Sequence, residues 1–161
     1  PKEAAKVAYS YLAERDVPCL IYQGRYNLID REPEETGIIE QAKENGAGFI
    51  VFSPLAQGLL AGRYLDGIPA DSRIAHGGHL KKEALTEKRL QQIQALNHIA
   101  QRRGQTLAEM SLAWILNDER VTSVIIGSSS VSQMQKNLLA LQSPAFTAEE
   151  LQEIESILTE N

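Results

Sequence analysis

Gly48-Phe49-Ile50-Val51-Phe52-Ser53-Pro54-Leu55-Ala56-Gln57-Gly58-Leu59-Leu60-Ala61-Gly62-Arg63-Tyr64 is an apolar run of strand length that ends in an aromatic ring. It then breaks at once into a Ser-Pro turn, two closely spaced glycines and an arginine. A short apolar run bounded by turn signals reads as a buried strand. The break delivers Phe52 and a backbone-exposing loop to one edge of a sheet, where a ring-containing, phosphate-bearing ligand can lie. The stretch points to a cofactor site.

Helical and strand patterns alternate on either side of it. Helical spacing over Ala4 to Glu14 precedes a strand over Val17 to Gln23, entered through Pro18. A polar connection with Asp30, Arg31 and Pro33 leads to a helix over Gly37 to Asn45, which Gly46 stops. Pro54 to Leu85 is long, rich in glycine and without periodicity; its length predicts a functional loop, a cover over an active site. Helices follow over Thr86 to Arg103 and Thr106 to Asn117, the second opened by the capping box Thr106-x-x-Glu109. A strand over Ser123 to Ile126 runs into Gly127-Ser128-Ser129-Ser130, then a helix over Ser132 to Leu141. Thr147-x-x-Glu150 caps a last helix over 147–159.

Short apolar strands separated by helices predict an α/β fold with parallel pairing and both sheet faces covered. Three strands leave two open edges, and a (β/α)8 barrel takes roughly 250 residues. The chain also opens inside what reads as a helix that should follow a strand. The expectation is therefore that residues 1–161 are the C-terminal part of a larger barrel domain, a fragment or one piece of a nicked protein.

The composition excludes several functions. The 161 residues are 43% hydrophobic and 23% charged, ordinary for a soluble domain, and no apolar run approaches the roughly 20 residues of a spanning helix. No hydrophobic leader segment is visible over Pro1 to Asp16. A net charge of -5 argues against nucleic acid, and Lys81-Lys82 and Arg102-Arg103 read as solvated pairs. The single cysteine, Cys19, allows no disulfide within the chain; it reads as a small core residue and favours a reducing, cytoplasmic setting.

Ligands in parallel α/β folds meet the C-terminal strand ends. Gln23 can pair with a carboxamide such as that of nicotinamide, or satisfy nearby backbone. Phe52 can stack on a flat ring or serve as core. Gly127 to Ser130 can hold a phosphate at a helix start, or act as an ordinary cap. Arg73 can reach a phosphate from the loop or stay solvated. His76, His79 and His98 have no metal-ligand or triad spacing and read as surface, while Trp114 reads as core.

Phe52 to Tyr64 with Gly67-Ile68-Pro69 and Ser72-Arg73, Val124 to Gln133 with Asn137, and Gln23 with Tyr26-Asn27 together resemble, in order and spacing, the last three strand ends of the aldo-keto reductases. The resemblance covers nearly the whole chain and is strongest to bacterial reductases related to the potassium-channel β-subunits. It implies strands 6 to 8, with their helices, of a (β/α)8 TIM barrel, and NADPH/NADP as cofactor. It implies that Gln23 contacts the nicotinamide carboxamide and Phe52 stacks on the ring. Ser53, Leu55, Gly58 and Arg63 would line the pyrophosphate path. Arg73, Ser128, Ser129, Gln133 and Asn137 would surround the adenosine and its 2'-phosphate. Lys136 stands where close relatives commonly carry an acid.

The resemblance further implies reduction of a small aldehyde or ketone, with a proton-donating tyrosine, a lysine, an aspartate and usually a histidine from the first half of the barrel. Tyr9, Tyr11, Tyr22, Tyr26 and Tyr64 lack that tyrosine's context, so no catalytic residue is assigned and the chain alone is expected to be inactive. The expected partners are a small carbonyl substrate and the N-terminal half of the barrel, with a homo-oligomer allowed and neither metal, nucleic acid nor membrane span. The alternative is a nucleotide-binding regulatory subunit resembling the channel β-subunits.

Overall fold

Strand and helix alternate along the chain, and the element ends follow from local chemistry. The computed structural model describes residues 2–69, 84–143 and 145–159, which fall into two units: Pro1–Pro54 with Ile115–Gly127, and Leu55–Trp114 with Ser128–Asn161.

The first unit holds α1 (Lys2–Ala13), β1 (Ile21–Arg25), α2 (Glu32–Glu35), α3 (Ile38–Glu44), β2 (Gly48–Phe52) and β3 (Val121–Val124). The three strands form one parallel sheet in the order β1-β2-β3. Pairing begins late: the first ladder bond runs from the Gly48 N–H to the Leu20 carbonyl at 2.8 Å. The strand predicted from Val17 thus starts at Ile21, in keeping with Pro18, which has no N–H to donate. In β3 the register slips by one residue opposite Phe49 and Ile50. The ladder continues to the Ile125 N–H, which donates to the Val51 carbonyl at 2.8 Å.

Alternation along the strands sends Phe49 and Val51 into the core with Gly24 of β1. Phe49 lies stacked on Tyr22, with ring centroids 5.8 Å apart, and edge-on to Tyr26 at 6.5 Å. Helix α3 packs against β2 and buries Ile38, Ile39 and Ala42. The opposite face carries Ile21, Gln23, Arg25 and Phe52, all exposed, with Ile50 half-buried. Among the described residues, helices cover one face of β1 and β2. The helices around β1 and β2 bury only alternate residues, so the strands pattern as one-sided.

The second unit holds a 3-10 segment (Ala56–Ala61), α4 (Glu87–Arg102), α5 (Leu107–Leu116) as far as Trp114, α6 (Val131–Leu138), a 3-10 turn (Leu139–Gln142) and α7 (Ala148–Thr159). Thr86 caps α4 by accepting the Arg89 N–H. Both predicted capping boxes form: Thr106 and Glu109 exchange bonds at 2.8 and 3.2 Å, Thr147 and Glu150 at 2.9 and 3.2 Å. Helix α5 is apolar nearly all round, and Leu107, Met110, Leu112, Ala113 and Trp114 are buried, as predicted for Trp114. Helix α4 packs on α7, where Gln92 Nε2 donates to the orphan carbonyls of Ile157 and Leu158 at 3.0 and 3.3 Å.

Arg102 and Arg103 do not behave as one solvated pair. Arg102 is exposed and pairs with Glu153, but the Arg103 side chain is 3% exposed, pairs with Glu150 and covers the Phe146 ring at 3.8 Å. Cys19 is half-buried rather than core, its thiol donating to the Ile21 carbonyl at 3.7 Å. His98 is exposed. Arg73, His76, His79 and Lys81-Lys82 lie outside the described residues.

Candidate functional site

In the first unit, Gln23 and Phe52 stand on the exposed sheet face, near the C-terminal ends of adjacent strands. Phe52 keeps 37% of its surface in the open, unlike Phe49 at 1%. A large ring at a strand end, flanked by a core that buries its neighbours, offers a stacking surface. Gln23 is exposed too, so its amide is free to serve as donor and acceptor.

The backbone turns abnormally just after the ring. Ser53, Ala56 and Gln57 have φ of 53°, 48° and 58°, all left-handed, although none is glycine. Such conformations crowd a Cβ and cluster at ligand clamps. Gly58 (φ 105°), inside a 3-10 segment that buries Leu59 and Leu60, and Gly62 (φ 81°), the C-cap of that segment, complete the bend. Leu55 and Gly58 are half-buried and Arg63 is exposed.

Asn27 fixes the turn beside this bend, and its part is one the sequence reading missed. It is 1% exposed. Its Oδ1 accepts the N–H groups of Ile29 and Asp30 at 3.0 and 2.9 Å, and its Nδ2 donates to the Ser53 carbonyl at 3.0 Å. One side chain thus ties the loop after β1 to the first left-handed residue after β2. Asparagine two positions before a polar turn is the signal of an Asx-turn.

Beneath the same loop, Tyr26 donates to Glu34 Oε2 at 3.2 Å. Burial and the Glu34 carboxylate push its phenol well above the ordinary tyrosine range. Arg31 holds the same carboxylate at 2.8 Å. Arg120 bridges Asp118 at 2.7 Å and Glu40 at 3.1 Å. Burial alone would raise Asp118, but hydrogen bonds from the Arg120 side chain and N–H hold it below its ordinary value. These pairs brace the loop.

In the second unit, Ser130 caps α6 by accepting the Gln133 N–H at 3.2 Å. Gln133 Oε1 accepts both the N–H and the Oγ–H of Ser129, at 2.8 and 3.0 Å. That lock spends the glutamine's acceptor and leaves its amide N–H groups to donate. One turn on, Asn137 is 6% exposed and its Nδ2 has no partner. A buried unpartnered donor calls for an acceptor, and adenine nitrogens and phosphate oxygens are acceptors. Ser128 is half-buried, its hydroxyl 3.9 Å from the Met134 sulfur. The helix start is therefore partly satisfied by its own side chains, as a cap would be, while its inner face keeps an unused donor.

The residues singled out from the sequence are thus shared between the units: Gln23, Phe52 and Ser53 in the first, and Leu55, Gly58, Arg63, Ser128, Ser129, Gln133 and Asn137 in the second. Among the described residues, a cavity of about 300 Å³ lies at the opposite end of β1, walled by Tyr9, Cys19 and Asn45. Gln23, Phe52 and Ser53 do not line it. No group of three or more His, Cys, Asp or Glu able to hold a metal occurs among the described residues, and no helix there is long and apolar enough to cross a membrane.

A parallel sheet thus carries an exposed ring and a free amide near its C-terminal edge, with left-handed backbone starting directly after the ring. The chain belongs to the aldo/keto reductase family, whose model matches residues 2–159. It is 46% and 45% identical over 148 residues to the L-glyceraldehyde 3-phosphate reductases of two Escherichia coli strains, covering 89% of this chain and 43% of each relative. The chain therefore spans less than half the length of these relatives. Among solved structures, an aldo-keto reductase from Bacillus halodurans in its holo form matches 94% of this chain and 46% of its own, with TM-score 0.68 and 25% identity. A thermostable aldo-keto reductase solved with the inhibitor epalrestat matches 84% and 38%, with TM-score 0.59 and 26% identity.

Proposed function

We propose that this chain is the cofactor-holding portion, strands 6 to 8 with their helices, of a (β/α)8 reductase that uses NADPH to convert small aldehydes or ketones to alcohols. The observation that carries the reading is Phe52: an exposed ring at a strand end, followed at once by left-handed Ser53 and, three residues further on, by left-handed Ala56 and Gln57. A backbone under that strain persists where its surroundings over-determine it.

In this reading Phe52 lies against one face of the nicotinamide and Gln23 receives its carboxamide, fixing which face meets the substrate. The bend through Ser53, Leu55, Gly58 and Arg63 follows the pyrophosphate. Ser128, Ser129, Gln133 and Asn137, with Arg73 from the 54–85 cover, surround the adenosine end. The Gln133 amide, turned by Ser129, and the unpartnered Asn137 Nδ2 supply donors there. The bound cofactor supplies hydride; the proton donor comes from the remainder of the barrel, which also covers the exposed sheet face. The names of the relatives make a phosphorylated three-carbon aldehyde the first substrate to try.

The test is a fluorescence titration of the complete barrel with NADPH, wild type against Phe52→Ala, alongside NADPH oxidation with glyceraldehyde 3-phosphate. Loss of a stacked ring is expected to weaken NADPH by roughly two- to twelve-fold, on the scale of an aromatic contact of about 0.5–1.5 kcal/mol. Unchanged NADPH affinity and unchanged turnover in the variant would show that the ring is only core. The chain without its other half should bind no substrate and oxidise no NADPH.

A further inference from the structure

Among the described strand residues, Arg25 is the one that carries a charge. It ends β1 two positions after Gln23, on the same exposed face, and its register partner across the ladder is Phe52. Its guanidinium is held rather than loose: Nε and Nη2 both donate to Asp30 Oδ2. Asp30 in turn is fixed through its backbone to Asn27, accepting that N–H at 3.0 Å and donating to Asn27 Oδ1 at 2.9 Å. The same Asn27 holds the Ser53 carbonyl. The cation is thus oriented by the turn that anchors the bend after Phe52.

Asp30 occupies one edge of a planar group that carries five N–H donors, and the Arg25 side chain remains 55% exposed. A donor fork already oriented loses less entropy on binding than a free one. The paired carboxylate also weakens attraction at a distance, so recognition depends on direct hydrogen bonds.

We propose that Arg25 reads an anionic substituent, phosphate or carboxylate, on the carbonyl substrate, an assignment that rests on the NADPH reductase reading above. It makes Arg25 a specificity-determining residue and sets the substrate class as small aldehydes carrying a negative charge.

The experiment compares the complete barrel as wild type, Arg25→Lys and Arg25→Gln. Steady-state rates are measured with glyceraldehyde 3-phosphate, succinic semialdehyde and uncharged glyceraldehyde. NADPH affinity is followed by fluorescence, and glycerol 3-phosphate, an unreactive anion of the same shape, is titrated calorimetrically into the NADP-loaded protein. Charge-assisted hydrogen bonds set the scale. Arg25→Gln should lower the anionic-to-neutral ratio of kcat/KM by roughly ten-fold or more and weaken glycerol 3-phosphate by a similar factor. Arg25→Lys should recover part of both. A ratio that falls for only one of the two charged aldehydes identifies phosphate or carboxylate as the preferred group. An unchanged ratio, or a loss shared equally by glyceraldehyde, overturns the proposal, as does a drop in NADPH affinity, which would assign Arg25 to the cofactor. Wild type that fails to bind NADPH would instead overturn the reductase reading itself.

Discussion

Replacing Gly24 with alanine tests the packing that sets the sheet behind the site. A Cβ built at Gly24 meets Phe49 Cζ at 2.5 Å and Cε2 at 2.9 Å. Carbon atoms in good contact sit about 3.5–4.0 Å apart, so the ring must retreat by roughly 1 Å. It has little room: Phe49 is 1% exposed, stacked on Tyr22 and edge-on to Tyr26. Gly24 is not left-handed, so alanine brings no backbone strain. In a strand interior it would otherwise add about 0.5–1 kcal/mol of stability. Overpacking costs about 1–3 kcal/mol, and the confinement of this ring places the net loss near 2 kcal/mol. Urea unfolding followed by circular dichroism, with a slope of roughly 1–3 kcal/mol per molar, should show a midpoint lower by about 1 M. Phe49→Leu removes the clashing ring atoms, so in that background Gly24→Ala should be neutral or mildly stabilising. The coupling between the two sites would then be about 2 kcal/mol. An equal cost in both backgrounds, or none in wild type, would refute the steric argument.

Other tests address separate features. Asn137→Leu should weaken NADPH several-fold in the complete barrel while raising thermal stability slightly, because a buried donor without a partner is replaced by an apolar group; equal NADPH affinity would remove Asn137 from the site. Arg103→Ala strands Glu150 and uncovers Phe146, and should lower stability by roughly 3 kcal/mol in urea titration. The Asp118 carboxyl is held below 3.8, so its contribution is complete above that pH and is lost as pH falls through the depressed value. Arg120→Met should flatten the acid limb of the stability curve. Tyr26 is raised above 10.0, so its contribution is full below pH 10 and declines above it as the unfolded phenol ionises first. Ultraviolet titration should find one tyrosine of the folded chain that resists ionisation until unfolding.

Much of the architecture was legible because periodicity, caps and breakers act locally. Thr106, Glu109, Thr147 and Glu150 announce their helices, and each makes the bonds its spacing predicts. The short apolar run that ends in Phe52 and breaks into a Ser-Pro turn placed β2 to within one residue. What stayed hidden depends on contacts between distant residues. Nothing local marks Arg103 as buried while its neighbour Arg102 is exposed. Of the candidate site, the ring and glycines were readable, since they punctuate one stretch. The role of Asn27 was not, because its key partner is the Ser53 carbonyl, 26 residues away. The left-handed φ values at Ala56 and Gln57 were hidden too, as neither residue type favours them.

Those two dihedrals have a consequence for how this loop tolerates change. Glycine would sit at Ala56 or Gln57 without the crowding that a Cβ brings to left-handed backbone, yet the chain carries a side chain at both. Single changes to glycine there therefore relieve strain in the folded chain and free the unfolded chain at once, with opposite effects on stability. Adjacent positions of that kind form a natural dial for heat tolerance, set on one side by the strain relieved and on the other by the freedom gained in the unfolded chain.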